Sequence, residues 1–176
     1  MVARADAVDI VGQRPVAIDD ADTALTLYRK LVPAGVELLS ELHPQIVAGT
    51  APRRKMDVSA GSYFGRRRPE DGRIDWRWPA RRIFNLVRAV THPYPGAFCV
   101  VEGRKLLIWE AAIAAEVGNR AAPGQVVRES GGGALEVAAG DGCVTLKTVQ
   151  FEGGVEGTAR AVLAQLGRGA DTIVLE

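Results

Sequence analysis

From residue 97 onward the chain breaks into short apolar runs divided by glycine, and this texture restricts the fold more than any other feature of the sequence. AFCVVE (97–102) and KLLIWEAAIA (105–114) meet at Gly103-Arg104, a hairpin signal. GQVVRE (124–129), ALEVAA (134–139) and CVTLKTVQF (143–151) follow, separated by the glycines of 131–133 and by Gly140-Asp141-Gly142. Five short strands with glycine turns predict a small, partly open β-barrel of the oligonucleotide/oligosaccharide-binding type. TARAVLAQLG (158–167) adds a helix through Ala159, Val162, Leu163 and Leu166.

The first half reads differently. VDIVGQRPVAI (8–18) is strand-like but has no earlier partner in sequence, and a lone strand cannot bury both faces. Asp22, at the end of DDAD, is the expected N-cap of a helix that starts at Thr23. Leu27, Tyr28, Leu31, Leu38, Leu39, Leu42 and Ile46 recur at helical spacing. Pro33 and Gly35 interrupt them, so a kinked helix or two abutting ones are expected, ending by Gly49. Residues 50–77 are polar and read as a connecting segment. Pro79 then opens an amphipathic helix over 79–90 with Ile83, Phe84, Val87 and Val90 on one stripe and Arg81, Arg82, Asn85 and Arg88 opposite.

Hydrophobic residues make up 47% of the 176, enough to bury a core, and the net charge of +1 excludes a whole-molecule polycation. Cys99 and Cys143 are far apart among apolar neighbours, as expected of reduced core thiols in the cytoplasm. No 18-residue apolar run is present, and MVARADAVDI carries two aspartates where a signal peptide needs an apolar stretch. A cytoplasmic protein with no membrane insertion is expected. His43 and His92 have no acid or cysteine at ligand spacing, so no metal is expected, and His92 reads as a capping or packing residue.

Local charge is another matter. Eight arginines lie between Arg66 and Arg88 against three acids, with Trp76 and Trp78 flanking Arg77. Guanidinium groups match phosphate geometry bidentately, which suits a nucleotide diphosphate or an RNA backbone. The plainer reading is a solvated linker whose arginines pair with Glu70, Asp71 and Asp75, and composition favours it.

GRRRPEDGRIDW (65–76) with NLVRAVTHPYPGAF (85–98) resembles the folate-dependent formyltransferase family. Within it the stretch is most similar to the half of the bifunctional polymyxin-resistance enzyme that formylates UDP-4-amino-4-deoxy-L-arabinose. It is also similar to methionyl-tRNA formyltransferase in the IDW and the arginine-alanine helix. RADAVDIVGQRPVAI and DDADTALTLYRKLV resemble the end of the catalytic domain of the same family.

The resemblance implies an α/β remnant of a Rossmann-like formyltransferase domain over 1–62, an arginine-rich linker over 63–77 and a barrel domain over 78–176. It implies 10-formyltetrahydrofolate as co-substrate and a UDP-amino sugar, of the kind used in lipid A modification, as acceptor. Of the family's asparagine–histidine–aspartate trio, only the aspartate has a counterpart, Asp6. Val2, Ala3, Arg4, Ala5 and Asp6 match the backbone stretch that lines the folate. Val8 stands where the family usually has glycine. The chain is therefore expected to be a C-terminal fragment, with Met1 either a start or an internal methionine, and inactive alone. Its expected partners are a missing N-terminal catalytic half or a second copy joined through an exposed sheet edge. Residues 97–176 hold seven Arg/Lys against ten Asp/Glu, which speaks against nucleic acid and against the tRNA-acting alternative. A non-catalytic binding module built on the barrel is the reading from a different class.

Overall fold

The computed structural model describes residues 8–114 and 121–176, and the chain divides into two compact units, Met1–Arg66 and Arg67–Glu176. Among the described residues no helix is long and apolar enough to cross a membrane.

The first unit is built on one helix, α1 (Ala24–Val47). Its N-cap is Thr23, not Asp22. The Thr23 hydroxyl accepts from the Thr26 N–H (3.3 Å) while the Thr26 hydroxyl accepts from the Thr23 N–H (2.9 Å). That reciprocal pair satisfies two end donors at once. Asp22 works from one residue outside: it is buried and accepts from Lys30 Nζ (2.6 Å), the Asp19 N–H (2.8 Å) and Thr26 Oγ1 (3.0 Å). The expected break at Pro33 and Gly35 is absent, and Pro33 and Pro44 both sit inside one continuous helix. A proline removes one hydrogen bond without obliging the chain to leave the helix. Gly49, at φ 72°, ends it by entering the left-handed region.

Residues 8–18 do not form a sheet strand. Their one ladder contact is an antiparallel bridge between Ile10 and Arg54, with backbone bonds of 2.8 and 2.9 Å. A strand needs a continuous partner, and the described residues of this unit offer only Arg54. The segment instead lies against α1: Gly12 packs on Leu42 and Leu38, and Arg14 bridges Glu37 (2.5 Å) and Glu41 (2.6 Å). No residue of α1 is buried, and Tyr28, Val36 and Leu39 are each at least 60% exposed.

The second unit carries the β-structure. Strands β1 (Ala97–Val101), β2 (Arg104–Ile113), β3 (Val126–Ser130), β4 (Ala134–Ala138), β5 (Cys143–Phe151) and β6 (Gly157–Thr158) form one antiparallel sheet. Its order is β1-β2-β5-β4-β3, with β6 paired to β5. The β1–β2 turn is Glu102-Gly103, one residue earlier than expected, with φ of 48° and 76°. Two successive positive φ values match the twist of a hairpin, and register then pairs Val101 with Arg104. The C-terminal segment touches both ends of the sheet: Glu176 exchanges two 2.8 Å backbone bonds with Val100, and the Leu175 N–H donates to Gly124 O (2.8 Å).

Helix α2 (Ala80–Val90) lays Ile83, Val87 and Val90 into the core, while Phe84 stays half-buried between Arg81 and Arg88. Helix α3 (Ala159–Leu163) adds Val162 and Leu163. Ile74 and Trp76, from the stretch read as connecting chain, are 2% and 4% exposed and belong to the same core.

The Gly140-Asp141-Gly142 turn does more than reverse the chain. Gly140 N–H donates to Trp78 O (2.9 Å), and Asp141 Oδ1 accepts from the Ala80 N–H (2.7 Å). Asp141 thus caps α2 from 61 residues away, where Pro79 offers no side-chain cap. A Cβ on Gly140 would overlap the Arg77 carbonyl oxygen.

Two expected outcomes follow from these contacts. Gly140→Ala should destabilise the second unit by about 1–3 kcal/mol, because the obstacle is backbone and cannot rotate away. Urea denaturation followed by tryptophan fluorescence checks this, and an unchanged midpoint would refute the tight docking. In the first unit, the Lys30 ammonium, then the Asp19 N–H, hold Asp22 at a pKa of about 2. A lowered carboxylate pKa stabilises above the unfolded value of about 4 and stops doing so as pH falls towards the folded value. Amide protection factors at Thr23–Leu27, corrected for the intrinsic rate at each pH, should therefore fall between about pH 4 and pH 2. Asp22→Asn should remove that dependence.

Candidate functional site

Residues 73–78 alternate. Ile74 and Trp76 point into the core, while Arg73 and Arg77 face outward. Ile74 N–H donates to Phe98 O (2.8 Å), which fixes the start of the segment along the outer edge of β1. Glu176 occupies the same edge two residues further on, at Val100. The two segments leave between them a groove of about 560 Å³, with Ile74, Trp76, Pro123 and Leu175 in its walls and Arg73 and Arg77 among its charged lining.

Asp75 is gripped by one neighbour. Arg77 donates from Nε (2.8 Å), Nη2 (2.7 Å) and its own backbone N–H (3.0 Å) to the Asp75 carboxylate. These bonds, the side-chain ones foremost, hold the Asp75 pKa at about 2. The Arg77 side chain remains 81% exposed, so its unused N–H edge faces solvent. Beside it, the Arg82 guanidinium stacks 3.9 Å from the Trp78 ring, which leaves its in-plane donors free. The Trp76 indole N–H is buried and reaches no hydrogen bond of normal geometry. It lies towards Cys99, whose thiol pKa burial pushes up, against a smaller lowering from that indole.

A second cluster sits where β2 bulges. Register slips between Ile108 and Glu110, leaving Trp109 without a ladder partner and turning its ring out of the sheet. The ring stacks on His92 at 3.8 Å and donates to Gln150 (2.9 Å), and Thr91 Oγ1 donates to the Trp109 carbonyl (2.8 Å). His92 Nε2 meets Glu156 at 2.8 Å. His92 is a packing residue, and the helix cap is Thr91.

Of the expected site residues, Val2, Ala3, Arg4, Ala5 and Asp6 lie outside the described residues. Arg66, Arg67 and Arg68 are exposed, and among the described residues their side chains make no ion pair. Among the described residues, the expected pairing with Glu70, Asp71 and Asp75 is found at Arg77–Asp75, while Asp71 accepts from the Arg68 backbone N–H (2.7 Å). The groove itself was not legible in the sequence. Its second wall, 174–176, lies about a hundred residues from the first, and no local pattern links the two.

Comparison with known proteins places this geometry. The model of the formyl transferase C-terminal domain matches residues 66–167. HypX from Aquifex aeolicus superposes with a TM-score of 0.68 at 20% identity, over 96% of this chain and 30% of that one. HypX from the same organism in complex with tetrahydrofolic acid gives 0.64 at 19%, over 96% and 29%. Methionyl-tRNA formyltransferase from Clostridium thermocellum gives 0.50 at 20%, over 65% and 48%. At these identities the structural likeness is one of fold, and this chain spans less than a third of the HypX chains. The match over 66–167 covers more than half of the sequence, and the chain belongs to the formyl transferase family through its C-terminal domain.

Proposed function

We propose that the chain is the C-terminal part of a 10-formyltetrahydrofolate-dependent N-formyltransferase whose acceptor is the amino group of a UDP-amino sugar. The carrying observation is the C-terminal domain match over 66–167, preceded by Arg4-Ala5-Asp6 in the order the family resemblance requires. In this reading residues 1–62 are the end of a Rossmann-like catalytic domain. The second unit is a partly open barrel, which the binding of 173–176 to both end strands supports. The tetrahydrofolate complex of HypX supports folate as the family's one-carbon carrier.

Folate would supply the formyl carbon, and Val2 to Asp6 are the residues that the family resemblance assigns to it. Asp6 favours the charged form of a histidine brought by the N-terminal catalytic half, so that the imidazole can take a proton from the attacking amine near neutral pH. In this reading that half covers the exposed apolar residues Tyr28, Val36 and Leu39 of α1. The site of action is the cytoplasm.

The second reading takes methionyl-tRNA as acceptor, and a specific feature favours it. Helix α2 carries Arg81, Arg82 and Arg88 with no acid of its own, and follows Arg66–Arg68 in the sequence. Against it stands the acidic balance of 97–176, seven basic residues to ten acidic.

The isolated chain is expected to transfer no formyl group from 10-formyltetrahydrofolate to UDP-4-amino-4-deoxy-L-arabinose or to methionyl-tRNA. Turnover above background that Asp6→Ala abolishes would overturn this. With the N-terminal half restored, transfer to the UDP-amino sugar but not to methionyl-tRNA decides for the first reading, and the reverse for the second. Arg67 supplies a finer check. An exposed side chain without an ion pair contributes within about 0.5 kcal/mol to stability, so Arg67→Ala should leave the melting temperature unchanged. In the restored enzyme, a tenfold rise in KM for the acceptor would then place Arg67 at its phosphates, and an unchanged KM would leave Arg67 out of acceptor binding.

A further inference from the structure

We propose that the peptide bond between Arg66 and Arg67 is a cleavage site for an endoprotease of trypsin-like specificity, and that the cut frees the second unit as an intact folded module. The proposal goes beyond the function assigned above, since it concerns the covalent continuity of the chain and involves neither folate nor acceptor.

A protease draws an extended length of backbone into its cleft, so its target must be exposed and free of hydrogen bonds that the cleft would have to break. Residues 62–68 are all exposed, and none belongs to a helix, a strand or a turn. Among the described residues, 62–67 make no backbone hydrogen bond. Tyr63 and Phe64 are 74% and 88% exposed, so even the aromatic side chains of this stretch find no packing. The stretch also carries three arginines and no acid. A guanidinium pairs bidentately with a carboxylate, so the protease that fits has an acid at the base of its primary pocket.

The three adjacent arginines are not equivalent targets. Arg68 is followed by Pro69, whose nitrogen carries no hydrogen and whose ring fixes φ, so that bond fits a cleft poorly. The Arg68 N–H donates to Asp71 Oδ2 (2.7 Å), and the Arg68 carbonyl accepts from the Asp71 N–H (3.1 Å). These two bonds tie the Arg67–Arg68 peptide to the turn that follows. The Arg66–Arg67 peptide is the next one upstream, and neither its carbonyl nor its N–H is engaged among the described residues. The other exposed basic run, 53–55, is pinned at Arg54 by two backbone bonds to Ile10 (2.8 and 2.9 Å).

Everything that holds the second unit together lies on the C-terminal side of that bond. Its core runs from Ile74 to Leu175, and among the described residues no member precedes Arg67. Regular backbone resumes at Pro69–Gly72, where Gly72 meets the Gly96 carbonyl oxygen too closely for any Cβ. Hydrolysis breaks the amide by adding water across it, with hydroxide to the Arg66 carbonyl carbon and a proton to the Arg67 nitrogen. No contact of the core is lost.

The test is limited digestion of the full chain with trypsin, read by intact mass spectrometry. The earliest released product is expected to begin at Arg67. It should keep the melting temperature of the uncut chain by tryptophan fluorescence, since Trp76, Trp78 and Trp109 all lie in it. Arg66→Gln removes the charge that the pocket reads and should slow release by at least about tenfold, at unchanged melting temperature. An earliest cut after Lys55, after Arg67 or inside the second unit would overturn the proposal. So would equal release from the Arg66→Gln protein, a freed fragment that is unfolded, or a chain that trypsin leaves whole. None of these outcomes bears on the acceptor, which is read from formyl transfer.

Discussion

The second unit depends on a contact between two turns far apart in sequence: the chain at Arg77–Ala80 and the glycine turn at 140–142. Gly140 gives its N–H to Trp78 and lets the Arg77 carbonyl approach where any side chain would collide, and Asp141 supplies the helix cap that Pro79 cannot. A proline before a helix leaves the first-turn donors to be satisfied from elsewhere. Here that elsewhere is the β4–β5 hairpin, so the start of α2 and the registry of the hairpin are set together.

That docking also explains how a charged, polar stretch becomes part of a core. Once Trp78 is held at the turn, the preceding residues run along the outer edge of β1, and alternation does the rest. Ile74 and Trp76 go inward and their arginine neighbours go outward. The groove follows from the same geometry, because Glu176 takes the next place on that edge and stops the two segments from closing.

The arginines, which look alike as letters, end in different physical states. Arg77 is locked to a carboxylate two residues away, Arg82 lies on an indole, and Arg81 and Arg88 border Phe84. Arg66 to Arg68 are exposed. Only a guanidinium whose direction is fixed can select a ligand by shape, since a free one pays its ordering entropy on binding. The cluster therefore divides into guanidiniums held by a partner, such as Arg77 on Asp75 and Arg82 on Trp78, and the exposed ones of Arg66 to Arg68.

Local pattern in the sequence was enough for the strands after residue 97, for the amphipathic stripe of Ile83, Val87 and Val90, and for the short helix over Ala159–Leu163, because hydrophobic period and glycine turns act within a few residues. The family, too, was legible from 65–76 and 85–98, since a motif is a local object. Local pattern misread Asp22 as a cap, because the reciprocal Thr23–Thr26 pair competes for the same donors and lies one residue nearer the helix. It overread 8–18 as a strand, since β-propensity does not supply a partner. The cap from Asp141, the burial of Trp76 and the groove between 73–78 and 174–176 were decided by tertiary structure alone. Each joins residues roughly fifty to a hundred positions apart. Backbone donors and apolar faces are satisfied by whatever the fold brings near, and nearness across that distance is written in no local period.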